Sequence, residues 1–285
     1  MSLLLGAVAY DPRAVTIWEG FARYFQQKGL SFDYILYSNY ERQADALLDG
    51  TIHIAWNSPL AWVRCRRLAR ARRVAVRAIA MRDSDCDLTS LIVVRADSPV
   101  QNPTDLRGKT VAVGAADSPQ ATLIPLSYLR SQGLVPGVDF YVQRHDLLSG
   151  KHGDHIGGER LAAVALVKGA ADAACMIESN HHLFSTEGVF QAGGTRILSR
   201  TPCYDHCNMT AGPSAPPDLV ERFRELLLGM SYDDPAVRPL FNLEGLKAWR
   251  EGREEGYEQL ESAVDASGFY DREGNISCID YACKS

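Results

Sequence analysis

The sequence predicts an α/β protein of two lobes, each a mostly parallel sheet flanked by helices. Three observations predict it. Short apolar runs alternate with helical patterns of ten to fifteen residues, the signature of βαβ units. One phrase is written twice, "LLDGTIHIAW" at 47–56 and "LVKGAADAAC" at 166–175. Each copy carries an apolar pair, a charged residue, a glycine and then a small or β-branched run, so each reads as helix, tight turn, strand. The chain's 285 residues, 46% hydrophobic and 23% charged, suffice for two ordinary cores.

The elements follow in order. "LLLGAVAY" is a buried strand, and Asp11 with Pro12 starts a helix. Ala14, Trp18, Phe21, Ala22 and Phe25 recur at helical spacing, and Gly29 ends that helix. "SFDYILYS" is a strand, "NYERQADALLDG" a helix and "TIHIAW" a third strand. The arginine-rich stretch "VRCRRLARARRVAVRA" (63–78) reads as a solvated helix face leading into a strand; net acidity argues against a patch for nucleic acid or acidic lipid. "LTSLIVVRADSP" is a strand, Gly108 precedes another at 110–114, and "SPQATLIPLSYLRSQG" is a helix capped by Ser118 with Pro119 in its first turn. "DFYVQRH", a His- and Gly-rich loop at 149–158 and the second copy of the phrase come next. The last 70 or so residues read as helical, from "PPDLVERFRELLLGM" through "LEGLKAWREGREEGYEQLESAV". The expected division is lobe one at 1–92 and 205–285, with lobe two, 93–204, inserted. The connections near Ser90–Arg95 and Ser199–Asn208 would then form a hinge.

The totals exclude some functions. A formal net charge of -5 argues against a nucleic-acid partner, and no apolar run is long enough to span a membrane. Seven scattered cysteines show no disulfide framework, which suits a reducing compartment. "MSLLLGAVAY" has no basic n-region, so the expectation is a cytoplasmic protein as written, periplasmic only if a leader has been removed.

Four segments, "LLDGTIHIAWNSPLAW", "LTSLIVVRADSPVQNPTDLRGKTVAVG", "ATLIPLSYLRSQGL" and "LAAVALVKGAADAACMIES", resemble the type 2 periplasmic-binding-protein fold. Within it they are similar to phosphate, phosphite and phosphonate binding proteins of ABC transporters. The order Ser98, Pro99, Pro103, Asp105, Leu106, Gly108, Lys109, Gly114 is the most specific part, and the likeness runs from about residue 3 to 268. The resemblance implies a small-molecule ligand held at the carboxyl ends of the strands as two lobes close on it. Those ends nominate Tyr10, Asn39, Asn57 and Ser58 in lobe one. In lobe two they nominate Asp117, Ser118, Gln120, Thr122, Glu159, Glu178 and Asn180. A transporter permease would be the protein partner, although no leader points to one.

The chain departs from the family where the ligand would sit. The resemblance implies a run of hydroxyls and a glycine at the start of the lobe-two helix, presenting amides to an anion. Here "DSPQAT" keeps Ser118, but Pro119 removes a donor, Gln120 replaces a hydroxyl and Asp117 adds negative charge. Glu159 falls where the family tends to have a histidine. Two unit charges about 4 Å apart repel by roughly 4 kcal/mol at an effective dielectric of 20, about a thousandfold in affinity. Free phosphate or a simple phosphonate is therefore not the expected ligand unless a cation intervenes; Arg82, Arg144 and Arg160 are near in sequence. An amine, imidazole-like or other hydrogen-bond-donating ligand suits the acids better.

Two clusters suggest metal. "KHGDHIGGE" supplies His152, Asp154, His155 and Glu159; "TPCYDHCNMT" supplies Cys203, Asp205, His206 and Cys207, with Glu178, His181 and His182 besides. Imidazole and carboxylate suit iron or zinc, and thiolate suits zinc or copper(I). His155, Glu159, Glu178 and His206 are the donors expected for a divalent ion, iron or zinc. Adjacent His206 and Cys207 should point apart in an extended chain. No activated nucleophile or phosphate loop is visible. A binding protein is the first expectation; a cytoplasmic cofactor- or metabolite-biosynthesis enzyme on the same fold, metal-dependent through these clusters, is the alternative.

Overall fold

The computed structural model describes residues 2–147, 149–152, 156–278 and 281. In chain order it begins β1 (Leu3–Val8), α1 (Arg13–Gln27), β2 (Phe32–Tyr37), α2 (Tyr40–Leu48), β3 (Ile54–Asn57) and α3 (Pro59–Arg72). Then come β4 (Arg77–Arg82), β5 (Ser90–Arg95), β6 (Thr110–Val113), α4 (Ile124–Ser131), β7 (Tyr141–Arg144) and α5 (Gly157–Val167). The chain goes on with β8 (Ala173–Ile177), α6 (Glu178–Thr186), β9 (Thr195–Arg200) and β10 (Asn208–Ala211). It finishes with α7 (Pro217–Leu228), α8 (Arg238–Glu244), β11 (Trp249–Glu251) and α9 (Glu258–Ser267).

Two compact units result. Of the described residues, the first holds 2–87, Asp205–Tyr257 and Tyr270–Asn275; the second holds those within Leu88–Tyr204, Glu258–Phe269, 276–278 and 281. This differs from the expected division in two places. Residues 88–92 belong to the second unit because β5 pairs there with β8 and β9. The C-terminal stretch does not stay with the first unit, because α9 packs on α4 and buries Leu260, Ala263 and Val264.

The first unit's sheet has the order β11-β4-β10-β3-β1-β2 and the second's β7-β6-β8-β5-β9. Both are mixed rather than mostly parallel. In the first, β2, β1 and β3 are parallel while β10, β4 and β11 pair antiparallel. In the second, β7, β6 and β8 are parallel while β5 runs antiparallel to both β8 and β9. The repeated phrase now has a structural meaning. Gly50 and Gly169 close α2 and α5 in the left-handed region, with φ of 77° and 72°. The strands that follow, β3 and β8, occupy equivalent places: each has a parallel neighbour on one side and an antiparallel one on the other.

Burial explains the apolar runs. In β5, Leu91 and Val93 enter one core of the second unit while Ile92 and Val94 enter the other; Ala174 and Met176 of β8 alternate in the same way with Ala173 and Cys175. A strand covered on both faces has no reason to alternate with polar residues. In the first unit, α1 lays Trp18, Phe21 and Phe25 against Phe32, Phe223, Trp56 and Trp249, while α2 and α3 cover the opposite face with Leu47, Leu48, Cys65 and Leu68.

Two helical readings change. The stretch expected as helix at 243–264 contains β11, which pairs antiparallel with β4 at the sheet edge. Gly245 stops α8 at φ 71°, and a Cβ on Gly252 would lie 2.4 Å from the Ala78 carbonyl carbon, so glycine is required for the strand to leave β4 there. The arginine face of α3 is not simply solvated. Arg64 reaches the Glu41 carbonyl and Asp45, and Arg67 reaches the Tyr270 and Asp271 carbonyls, so both buried guanidiniums tie distant chain segments together.

Candidate functional site

In the first unit the strand ends carry the nominated polar residues, and most of them hold the fold. Tyr10 lies just past β1, where its amide donates to the Val8 carbonyl. Asn39 caps α2 by accepting the Arg42 amide at 2.9 Å, and Ser58 caps α3 by accepting that of Ala61 at 3.1 Å. Asn57 is fully buried: it accepts from Gln43 at 2.9 Å and donates to Thr210 at 2.8 Å, inside the sheet.

The second unit gathers its nominated residues more tightly. A five-residue π-helical turn, Pro119–Leu123, leads into α4, with Ser118 as its cap. The Ala121 amide bonds the Ser118 hydroxyl, and the Thr122 and Leu123 amides bond the Ser118 carbonyl. These donors are all satisfied within the turn. Asp117, also fully buried, accepts the amides of Gly150 at 2.7 Å and His152 at 2.9 Å through Oδ2. Gly150 and His152 have φ of 98° and 52°, which turns both amides onto the carboxylate like a small nest. Among the described residues, Asp117 Oδ1 and the buried Thr122 hydroxyl have no hydrogen-bond partner. Burial raises the Asp117 pKa above the usual carboxylate range, against the opposing pull of His152 and the amides.

Glu159 and Glu178 play other parts than expected. Glu159 is buried and accepts from Gln120 Nε2 (3.2 Å), the Ile177 amide (2.9 Å) and Asn180 Nδ2 (2.9 Å). It thus clamps the π-turn, the end of β8 and the start of α6. Gly158 beside it lets α5 approach closely, since a Cβ there would lie 2.8 Å from the His145 carbonyl oxygen. Glu178 pairs with Arg200 and accepts from Thr89 at 2.7 Å, and these partners hold its pKa low. Two of the three arginines that could offset an anion's repulsion are engaged in ion pairs: Arg160 with Glu187, and Arg82 with Asp85 and Glu244.

The expected metal set is not assembled as written. His155, with its neighbour Asp154, lies outside the described residues. Glu159 and Glu178 have the partners just given, and His181 packs its ring on Phe190 at 5.2 Å. His206 instead meets Asp85 and Cys207, all three buried, with one ligand atom of each within 4.8 Å of the others. His206 Nδ1 is 3.1 Å from Cys207 Sγ and 3.3 Å from Asp85 Oδ1, so the adjacent side chains converge where an extended chain would part them. Burial would raise the Asp85 pKa, but Arg82 and His206 outweigh it and set it at about 2. Asp205 of the same segment clamps Arg253, and Cys203 is exposed. Burial pushes the Cys65 and Cys175 thiols up to about 12, so neither is a nucleophile.

Residues 7–257 match the family model for the phosphonate periplasmic substrate-binding protein of ABC transporters. The chain belongs to this phosphonate-binding family. Among solved structures it is similar to PhnD1 of Prochlorococcus marinus in complex with methylphosphonate, with TM-score 0.64 and 17% identity over 93% of this chain and 97% of that one. It is also similar to XAC2383 of Xanthomonas citri bound to ATP, with TM-score 0.68 and 16% identity over 93% and 96%. The binding-protein component PA3383 of a Pseudomonas aeruginosa phosphonate transporter aligns with TM-score 0.58 and 13% identity over 99% and 92%. At such identities the likeness is one of fold. The phosphonate-binding family implies a small-molecule ligand and a transporter partner, is described as periplasmic and needs no cofactor; the enzyme alternative finds no support. Among the described residues no helix is long and apolar enough to cross a membrane.

Sequence reasoning missed Asp85 and the amides of Gly150 and His152. Asp85 is far from His206 in the chain and joins it only through the neighbouring placement of β4 and β10. The two amides are backbone groups, and the glycines around 150–158 were their only sequence signal.

Proposed function

We propose that this phosphonate-binding-family protein captures a small polar ligand that brings a hydrogen-bond donor, an amine or imidazole-like group, to Asp117, and that free phosphate and simple phosphonates are poor ligands for it. The observation that carries this reading is the state of the turn at 117–123. The amides of Ala121, Thr122 and Leu123 are satisfied by Ser118, and those of Gly150 and His152 are taken by the Asp117 carboxylate. What remains unmatched among the described residues is an acceptor, Asp117 Oδ1, with the Thr122 hydroxyl nearby in sequence. A buried acceptor left unmatched costs roughly 1–3 kcal/mol, which a donor on the ligand would recover. Capture of this kind needs no cofactor.

The cytoplasmic placement expected from the sequence belongs to the same proposal. It is supported by the described cysteines, which form no disulfide, and it stands against the periplasmic description of the family. A carrier or sensor role would follow there, and delivery to a permease in the periplasm.

Calorimetry on chelator-treated protein tests the ligand class. Phosphate, phosphite and methylphosphonate should show dissociation constants in the millimolar range or no heat, while compounds of similar size bearing a primary amine or imidazole should include micromolar binders. Micromolar binding of the three simple anions would refute the reading.

A further inference from the structure

We propose that Asp85, His206 and Cys207 form a zinc-binding site in the first unit, with three protein donors and one open position. The inference does not rest on the ligand reading. The three donor atoms all lie within 4.8 Å of one another. In tetrahedral zinc, with Zn–S about 2.3 Å and Zn–N and Zn–O about 2.0–2.1 Å, adjacent donors lie about 3.5 Å apart for S and N and about 3.3 Å for N and O. The corresponding separations are 3.1 Å from Cys207 Sγ to His206 Nδ1 and 3.3 Å from His206 Nδ1 to Asp85 Oδ1.

The same geometry disfavours the other uses of such residues. Cysteine, histidine and aspartate make a catalytic relay when thiol and carboxylate sit on opposite ring nitrogens. Here both face Nδ1, which carries at most one proton and serves one of them as a hydrogen-bond partner. A cation held between the three would serve them all. The opposite nitrogen, Nε2, is buried and has no partner among the described residues, so the ring is oriented by its Nδ1 side.

Charge and support agree. Asp85, Arg82 and Glu244 sum to one negative charge, and a Cys207 thiolate makes two; Zn²⁺ brings the buried group to zero with His206 neutral. Binding would expel the thiol proton to solvent, with no change of oxidation state. Asp85 is held firmly in place. Arg82 grips both its oxygens, at 2.5 and 3.0 Å, and is itself held by the Glu244 side chain at 3.0 Å and the Glu244 carbonyl at 2.8 Å. One thiolate, one imidazole and one carboxylate suit zinc better than copper(I), which favours sulfur, or magnesium, which favours oxygen.

The test is metal binding by untagged, chelator-treated protein under anaerobic conditions. Cobalt(II) should bind at one equivalent with a thiolate charge-transfer band in the near ultraviolet, and zinc should displace it. Cys207→Ser should abolish that band and weaken zinc binding by more than about 100-fold, beyond the 10–100-fold typical of a lost outer-shell partner. Cys203→Ser, at the exposed neighbouring cysteine, should leave both unchanged. Should Cys207→Ser fail to fold, zinc K-edge absorption on the unaltered protein decides the matter: one sulfur near 2.3 Å with nitrogen and oxygen supports the site. A shell without sulfur, a shell with two or more sulfurs, no saturable cobalt binding, or a band that survives Cys207→Ser would overturn it.

Discussion

Asp117 concentrates the chemistry of the second unit in one side chain. It gives two backbone amides their acceptor, yet burial disfavours its charged form. An acid whose pKa is raised on folding binds more protons in the native state than in the unfolded one. Its contribution is therefore most favourable below the ordinary carboxylate value and declines as pH rises from there through the raised folded value. Asp117→Asn removes that decline while its amide oxygen still accepts from Gly150 and His152. The stability of Asp117→Asn relative to the parent should thus grow with pH from about 4 upward and then level off. Urea unfolding at several pH values checks this; a constant or shrinking difference would assign the buried carboxylate a different partner. Asn57 and Ser58 show the other side of residue-scale reading. Their polarity was legible at the strand ends, and the Ser58 cap on Ala61 is local to Ser-Pro, but the bonds of Asn57 to Gln43 and Thr210 depend on neighbours that a linear pattern does not reveal.

Among the elements, the helix–turn–strand phrase was the most legible feature, because the glycine, the helical period and the buried strand all express local rules. The edge strand β11 was not legible. Its three residues carry no periodicity, and only pairing with β4 makes them a strand. The π-turn before α4 likewise shows in sequence only as Ser-Pro, a start signal that does not separate an α from a π opening. The start of α5 is held by close packing, and that gives a sharp expectation. Gly158→Ala would drive a Cβ to 2.8 Å from the His145 carbonyl oxygen and 3.3 Å from the Ala115 amide nitrogen. Backbone does not yield as a flexible side chain does, so a loss of about 1–3 kcal/mol is expected. Chemical denaturation measures it. The ligand affinity should fall with it, since α5 also carries Glu159, which positions Gln120 and Asn180. A Gly158→Ala variant as stable as the parent would show that α5 shifts freely.

For the molecule as a whole, two lobes and their α/β class were legible from alternation and repetition, whereas their borders were not. The chain passes between the units at 87/88, 204/205, 257/258, 269/270 and 275/276, and the later passages depend on how α9 packs against α4. The family's fold carries over through residues 7–257, while the amides of Ala121 and Gly150 are bonded to Ser118 and Asp117. The central claim is that Asp117 stands where the family's anionic ligand would otherwise find donors. The most direct measurement is the affinity of chelator-treated protein for methylphosphonate before and after Asp117→Ser. Replacing the carboxylate removes a negative charge and releases the Gly150 and His152 amides, so binding should tighten about tenfold or more, and by less in Asp117→Asn, which keeps an acceptor on those amides. Methylphosphonate binding that weakens or stays unchanged in Asp117→Ser would contradict the account.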